Sequence, residues 1–506
     1  RPPYAYFILQ KQRDPVAPVE LLRRLAFNGV RIDQLTTEVS FEGIRYPAGT
    51  WVIPMNQEFA EMARQVLDPQ TYPDLREFPE GPPEQPYDAS GWTLPYQMDV
   101  AVVAASTPLT DEVRAALRPV QGTAADWTTV DETAPEPDAS AFDSVPGLGF
   151  DTHPIASGIV PAAGLVTGSG PSLALDPAQN NAFNALNRAW KAGGAVHFEP
   201  GSAGTSARYV ISGVGQAAQD QWVEDLALQA ERVRSASGPR VASRIGLYRP
   251  WRASMDEGWT RWLLERYGFT FTNLTNADFH AGALRERFDV IVLPAESPRA
   301  LLAGYTKGSV PPRYEGGIGA IGVRALDAFV RKGGTLVCLN QSSTFAIEHL
   351  HLPVRNVVGD LDRKDFFASG SILEVTTDPS HPVMAGMPVT AKVFVSRSPV
   401  FTTKEGFKGA ALATYQKAGS PLLSGYLLGA EHLQGYAAAL DVHHGDGHVL
   451  LLGFRPQWRG QSFGTFRVLF NAVLYGGALA AQHHGTPGFW LAPPEAKEKT
   501  KEESGN

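Results

Sequence analysis

Gly333-Gly334-Thr335-Leu336-Val337-Cys338-Leu339-Asn340-Gln341-Ser342 is an apolar run between a glycine pair and small polar residues. It reads as a buried strand turning sharply into a helix that starts near Ser343, the geometry that lifts a reactive side chain above a sheet. A second run, His448-Val449-Leu450-Leu451-Leu452-Gly453-Phe454-Arg455-Pro456-Gln457, is also apolar and also ends in polar groups. Both ends carry the wrong groups for catalysis. The Asn340 carboxamide cannot attack a carbonyl as a thiolate can, and the single cysteine, Cys338, lies two residues earlier on the strand, where its side chain points into packing.

Working outward from the elbow, strands and helices alternate regularly from Val241 onward. Strands are expected over 244–248 and 289–294 and helices over 258–267 and 322–331, with shorter strands over 371–376, 393–396 and 412–415 and a closing helix over 465–475. This alternation predicts an α/β fold whose C-terminal part is a doubly wound, flavodoxin-like parallel sheet, with ligands near the strand carboxyl ends. Ser237-Gly238-Pro239 separates it from a small α/β piece, with helices over 181–191 and 221–233 and strands over 195–198 and 209–211.

The first residues predict a βαβ unit: a strand over 4–9, an amphipathic helix over 18–26 and a strand starting at 29–32. A hairpin over 41–54 and a helix over 58–67 follow. From 72 to 144 the chain is rich in proline, aspartate and alanine and reads as long surface loops around one strand, 100–104. The expected organisation is an accessory α/β region with long Pro-rich loops over 1–144, a small α/β domain over 145–238, the C-terminal sheet domain over 239–485 and a charged flexible tail over 486–506.

With 506 residues the chain is long enough for several cores. Its 44 basic and 52 acidic residues give a formal charge of -8, and no basic block precedes the tail, so nucleic acid is not an expected partner. No apolar run approaches the ~20 residues of a membrane span. One cysteine excludes an internal disulfide framework. The start at Arg1-Pro2-Pro3-Tyr4 leads to the expectation of a mature or truncated product with further sequence upstream.

The elbow resembles that of class I glutamine amidotransferase-like domains, whose pattern is Gly-x-Cys-x-Gly; Cys338, Asn340 and Ser342 stand at the Gly, Cys and Gly positions. Phe454-Arg455-Pro456-Gln457 resembles the Phe-His-Pro-Glu that completes the same triad, with Arg455 in place of the general base and Gln457 in place of the orienting carboxylate. The resemblance therefore implies a degenerate triad at Asn340, Arg455 and Gln457 and no glutaminase chemistry. A wider ordered set comprises Pro3-Tyr4-Ala5-Tyr6, Ser90-Gly91-Trp92-Thr93-Leu94-Pro95, Tyr248-Arg249-Pro250-Trp251, Met255 to Trp262, Gly316-Gly317-Ile318-Gly319 and Gly453 to Gln457. Together it resembles the long C-terminal region of large bacterial zinc carboxypeptidases of the carboxypeptidase A-like family.

That resemblance implies a noncatalytic accessory portion of an extracellular or periplasmic protein, whose parent activity is peptide hydrolysis. Its expected partners are a preceding peptidase domain or another protein, and a peptide or glycan. Zinc is expected only in the preceding domain: none of the twelve histidines here has a glutamate three residues on, so no family ligand or catalytic residue carries over, and no cofactor is expected in this chain.

Other constellations stand beside this reading. Arg249, Trp251, Asp256, Glu257, Trp259 and Arg455 form a candidate ligand pocket, an aromatic wall with carboxylates for a sugar or cationic group and two arginines for an anion. The alternative is that Asp256 caps the following helix while the tryptophans pack. His443-His444-Gly445-Asp446-Gly447-His448 has the residue types of a metal site, but Gly445-Asp446-Gly447 between apolar runs is a hairpin signature. His349 and His351 suit a strand or helix-end surface. A cysteine-dependent hydrolase or transferase using Cys338, and a free-standing carbohydrate- or peptide-binding or structural protein, are the remaining alternatives.

Overall fold

The computed structural model describes residues 2–120, 156, 158–201, 206–481 and 485–493. Three main sheets and their helices pack around shared apolar cores.

The largest sheet has a parallel half and an antiparallel half. The parallel strands, in chain order, are Ile245–Tyr248, Phe271–Leu274, Val290–Leu293, Thr335–Leu339 and Gly447–Leu452, and they lie side by side as second, first, third, fourth and fifth. This is the flavodoxin-like order, which reverses direction between the first and third strands. The third, fourth and fifth are buried along their whole length, as expected of strands covered on both faces. The expectation of a parallel sheet therefore holds for this half only. Beyond Gly447–Leu452 the sheet continues antiparallel through Ala437–His444, Gly409–Thr414, Phe367–Thr377 and Thr390–Ser396. The short strands read near 371, 393 and 412 are thus an extension of the sheet.

The N-terminal five-stranded sheet corrects the βαβ reading. Ala5–Ile8 and Asp33–Leu35, on either side of helix Ala17–Phe27, are not neighbours: Trp51–Pro54 lies antiparallel between them. The second strand is therefore Asp33–Leu35 rather than 29–32. The hairpin expected over 41–54 is instead Val39–Phe41 with Ile44–Tyr46, turning at Glu42 and Gly43, both at positive φ. The strand read over 100–104 is reduced to Val103–Ala104. In the middle sheet, the helix expected over 221–233 stops early: Gln216–Asp225 is helical, while Gln229–Val233 is a strand between Ser172–Leu175 and Leu165–Gly168. The charged tail also starts later than expected. Thr486 bonds Asp378 through its N–H (2.7 Å) and hydroxyl (2.9 Å), and the Trp490 indole N–H donates to Gly435 O. Residues 121–144 of the long loop and 494–506 of the tail lie outside the described residues.

Buried polar contacts join the three parts of the chain. The Asn180 N–H donates to Asp14 and its side chain to Phe463 O, and Tyr209 donates to Asn471. Glu20 and Arg266, both nearly inaccessible, pair at 2.9 Å. The Pro-rich segment docks as well: the Ser90 N–H donates to Gly370 O, and Gly91 approaches the Ser424 carbonyl so closely that a Cβ would lie 2.3 Å from its oxygen. No helix among the described residues is long and apolar enough to cross a membrane.

Asp289 clamps the start of the parallel half, accepting from Arg244 Nε, Nη2 and N–H and from Arg285 Nη1. Burial alone would raise its carboxyl, but these hydrogen bonds outweigh burial and hold it down at about 2. A depressed carboxyl contributes stability above its unfolded value of about 4 and loses it as pH falls through the folded value. Asp289→Asn is expected to cost about 1 kcal/mol at pH 7 by urea unfolding, because Arg244 is half exposed, with the difference vanishing as pH approaches 2.

Candidate functional site

The end of Thr335–Leu339 has the elbow geometry expected from the sequence. Asn340 adopts φ 51°, the left-handed region that asparagine tolerates better than most residues. Its N–H extends the ladder to Leu452 O at 2.8 Å. Helix Ser342–His349 begins two residues later, with Ser342 Oγ donating to Leu293 O and Leu339 O and Ser343 Oγ to Cys338 O. The Asn340 side chain is fully buried; its Nδ2 donates to Ser396 O at 3.1 Å and its Oδ1 meets no hydrogen-bond donor among the described residues.

Arg455 converges on the same carbonyl. Its Nε donates to Ser396 O at 3.3 Å, while its Nη1 lies 2.8 and 2.7 Å from the two oxygens of Asp256. Gln457, also fully buried, donates to Thr260 Oγ1 at 3.1 Å and more weakly to Asp256 at 3.5 Å. Asn340, Arg455 and Gln457 are thus brought together around the Ser396 carbonyl and the Arg455–Asp256 pair. Burial pushes the Asp256 carboxyl up, opposed by the charge and hydrogen bonds of Arg455.

The wider pocket expected around this pair does not form as one site. Ser254, not Asp256, caps helix Met255–Arg266 by accepting from the Glu257 N–H. Asp256 instead turns to Arg455, and Glu257 pairs with Arg261 on its own helix at 3.0 Å. The tryptophans separate: Trp251 meets Tyr314 edge-on at 4.9 Å, while Trp259 meets Trp458, which stacks on Phe394 and lies under the Arg455 guanidinium. Arg249 is exposed and gives its backbone N–H to Leu274 O. Cys338 is fully buried, and burial pushes its thiol far above the ordinary range, so it stays protonated.

Sequence reading missed three participants. Ser396 supplies the shared carbonyl, followed by Arg397 at φ 52°. Glu296, just past the third parallel strand, has its carboxyl raised by burial and by nearby Asp256, against a hydrogen bond from Ser254. A cavity of about 550 Å³ also opens beside the elbow, walled by Gln341, Thr344, Arg363, Phe366, Phe367 and Arg397 among others. Gln341 and Thr344 follow directly from the elbow motif; the other walls come from segments distant in sequence, including the start of strand Phe367–Thr377.

The histidine-rich segment is a hairpin, as its glycines suggested: Ala437–His444 and Gly447–Leu452 pair around Gly445-Asp446. His444 bonds Asp327 at 2.6 Å. His349 ends its helix and packs on Phe345, and His351 is exposed just beyond.

Neither any protein-family model nor any curated protein matches the chain. Several solved structures align with a little under half of it. A cytoplasmic protein from Salmonella typhimurium is 12% identical, with 46% of this chain and 99% of that one covered and a TM-score of 0.31. A ThuA-like protein from Bacteroides uniformis is 13% identical over 49% and 98%, with a TM-score of 0.27. PurLQS from Thermotoga maritima is 13% identical over 46% and 99%, with a TM-score of 0.28. Likenesses this distant carry no functional inference.

Removing one partner of a buried pair leaves the other charge uncompensated. Arg455→Ala is expected to destabilise the chain by about 3–5 kcal/mol in urea unfolding, and the double variant Arg455→Met/Asp256→Leu to recover most of that loss. Cys338 is expected to resist alkylation in the native state and to react fully in denaturant, followed by intact mass.

Proposed function

We propose that this chain is a noncatalytic accessory region, the C-terminal portion of a secreted or periplasmic zinc carboxypeptidase-like protein, ending in a degenerate glutamine amidotransferase-like domain. The observation that favours a noncatalytic role is the elbow itself: Asn340 occupies the strained turn, while Arg455 is committed to Asp256 and Ser396 O. A nucleophile needs a reactive atom and a base within hydrogen-bond reach. Asn340, Arg455 and Gln457 offer neither. The parent activity, peptide hydrolysis, is suggested by the resemblance of the ordered motifs, which covers the chain from Tyr4 to about Gly477. In this reading the region packs on a preceding peptidase domain and shapes access to it.

A second reading is favoured by the cavity beside the elbow. Arg363 and Arg397 on its wall, with Phe366 and Phe367, suit a ligand that joins an anionic group to an apolar body, such as the carboxylate end of a peptide. Binding there is compatible with an accessory role and with a free-standing binding protein.

The test is catalytic. The purified 506-residue chain, supplied with zinc, is expected to release no C-terminal amino acid from peptides and no ammonia from glutamine above the rate of a heat-denatured control. Sustained zinc-dependent turnover that survives repurification would overturn the noncatalytic reading.

A further inference from the structure

The end of the large sheet opposite the elbow holds a polar cluster in an otherwise apolar layer. Asp441 and His443 lie two residues apart on Ala437–His444 and so project from one face, and His448 is the direct cross-strand partner of His443. One potential ligand atom from each of these three residues falls within a sphere of contacts no wider than 4.8 Å. Asp441 is fully buried, His448 nearly so, and His443 is partly open to solvent.

We propose that Asp441, His443 and His448 form a binding site for a divalent transition-metal ion, with zinc the best fit to one carboxylate and two imidazoles. Metal–ligand bonds of about 2.0 Å in a tetrahedron place ligand atoms about 3.3 Å apart. Asp441 Oδ1 and His448 Nδ1 stand 2.9 Å apart, so a small separation admits the ion with the His448 ring in the tautomer that carries its proton on Nε2 and offers Nδ1 as the ligand. The second oxygen is already anchored. Oδ2 accepts from His381 Nε2 at 3.2 Å and from the Tyr475 hydroxyl at 3.1 Å. His381 is an orienting group rather than a ligand, because its Nδ1 accepts the Val383 N–H and its proton therefore sits on Nε2. Such outer hydrogen bonds fix a ligating carboxylate and favour its charge.

Three protein ligands leave a fourth position for water. Thr335, paired in register with His448 and facing the same layer, is buried with a hydroxyl that has no hydrogen-bond partner among the described residues. A water on the ion would satisfy it. This site is separate from the elbow and from the zinc expected in a preceding peptidase domain, so bound metal without peptidase turnover supports the proposal and leaves the noncatalytic reading intact.

The experiment uses the full chain stripped with chelator, titrated with Co²⁺ and then Zn²⁺, with visible absorption and metal content after gel filtration. One equivalent is expected, with cobalt d–d bands of a four- or five-coordinate site that zinc abolishes. His443→Ala, at a partly exposed ring, is expected to fold as judged by circular dichroism and to bind at least tenfold more weakly. Asp441→Asn is a second variant, and His351→Ala, an exposed imidazole elsewhere, is expected to bind as the parent does. A folded parent chain that retains no metal, or a His443→Ala variant that binds as tightly as the parent, would overturn the proposal.

Discussion

The Arg455–Asp256 pair governs how the sheet end is closed. Arg455 lies three residues past the end of the fifth parallel strand, and Asp256 stands in the first turn of the helix that follows the first parallel strand, so one ion pair spans the sheet's carboxyl edge. A buried guanidinium must have its donors met, and here Asp256 and the Ser396 carbonyl meet several of them while Trp458 covers its face. This fixes the loop after Thr390–Ser396 against the elbow. The elbow's polar side chain is fixed in turn, because Asn340 Nδ2 shares the same carbonyl. Around that carbonyl the space is filled by the side chains of Asn340, Arg455, Asp256 and Gln457.

The elbow and the hairpin were legible in the sequence because their signals are local. A run of four apolar residues, Leu336 to Leu339, after a glycine pair and Thr335 and before polar residues dictates a buried strand and a turn, and Gly445-Asp446-Gly447 dictates a reversal. The positions that the resemblance singled out, Asn340, Arg455 and Gln457, lie around the Ser396 carbonyl and the Arg455–Asp256 pair. The partners of Arg455 were harder to find. Asp256 reads as a helix cap because it lies beside a helix start, yet Ser254 two residues earlier takes that role and releases Asp256 to pair with a residue 199 positions away. Ser396 carries no signal at all, since it acts through its backbone carbonyl.

Sheet order was beyond local reading for the same reason. Ala5–Ile8, helix Ala17–Phe27 and Asp33–Leu35 satisfy every rule for a βαβ unit, but Trp51–Pro54 pairs with both strands and separates them. Nothing in the composition of 51–54 distinguishes a central strand from one arm of a hairpin. The misread helix over 221–233 has a related cause. Alanine, glutamine and glutamate favour helix, but Ala227 at φ 51° ends it, and the pairing of Gln229–Val233 with two neighbouring strands outweighs propensity.

The two ends of the large sheet solve the cost of buried polarity in opposite ways. At the carboxyl end a cation and an anion neutralise each other, with Gln457 filling in. At the other end Asp441 accepts, among the described residues, from two imidazoles and a phenol, with no arginine or lysine among those donors. The three donors come from distant parts of the chain, His381 beside a short 3₁₀ turn, His448 on the fifth parallel strand and Tyr475 just after the last long helix. A core that needed only packing would place a leucine at 441, as it does at 450 directly across the ladder. The retained charge, aligned with two histidines on the same face, is the arrangement that a divalent ion would complete.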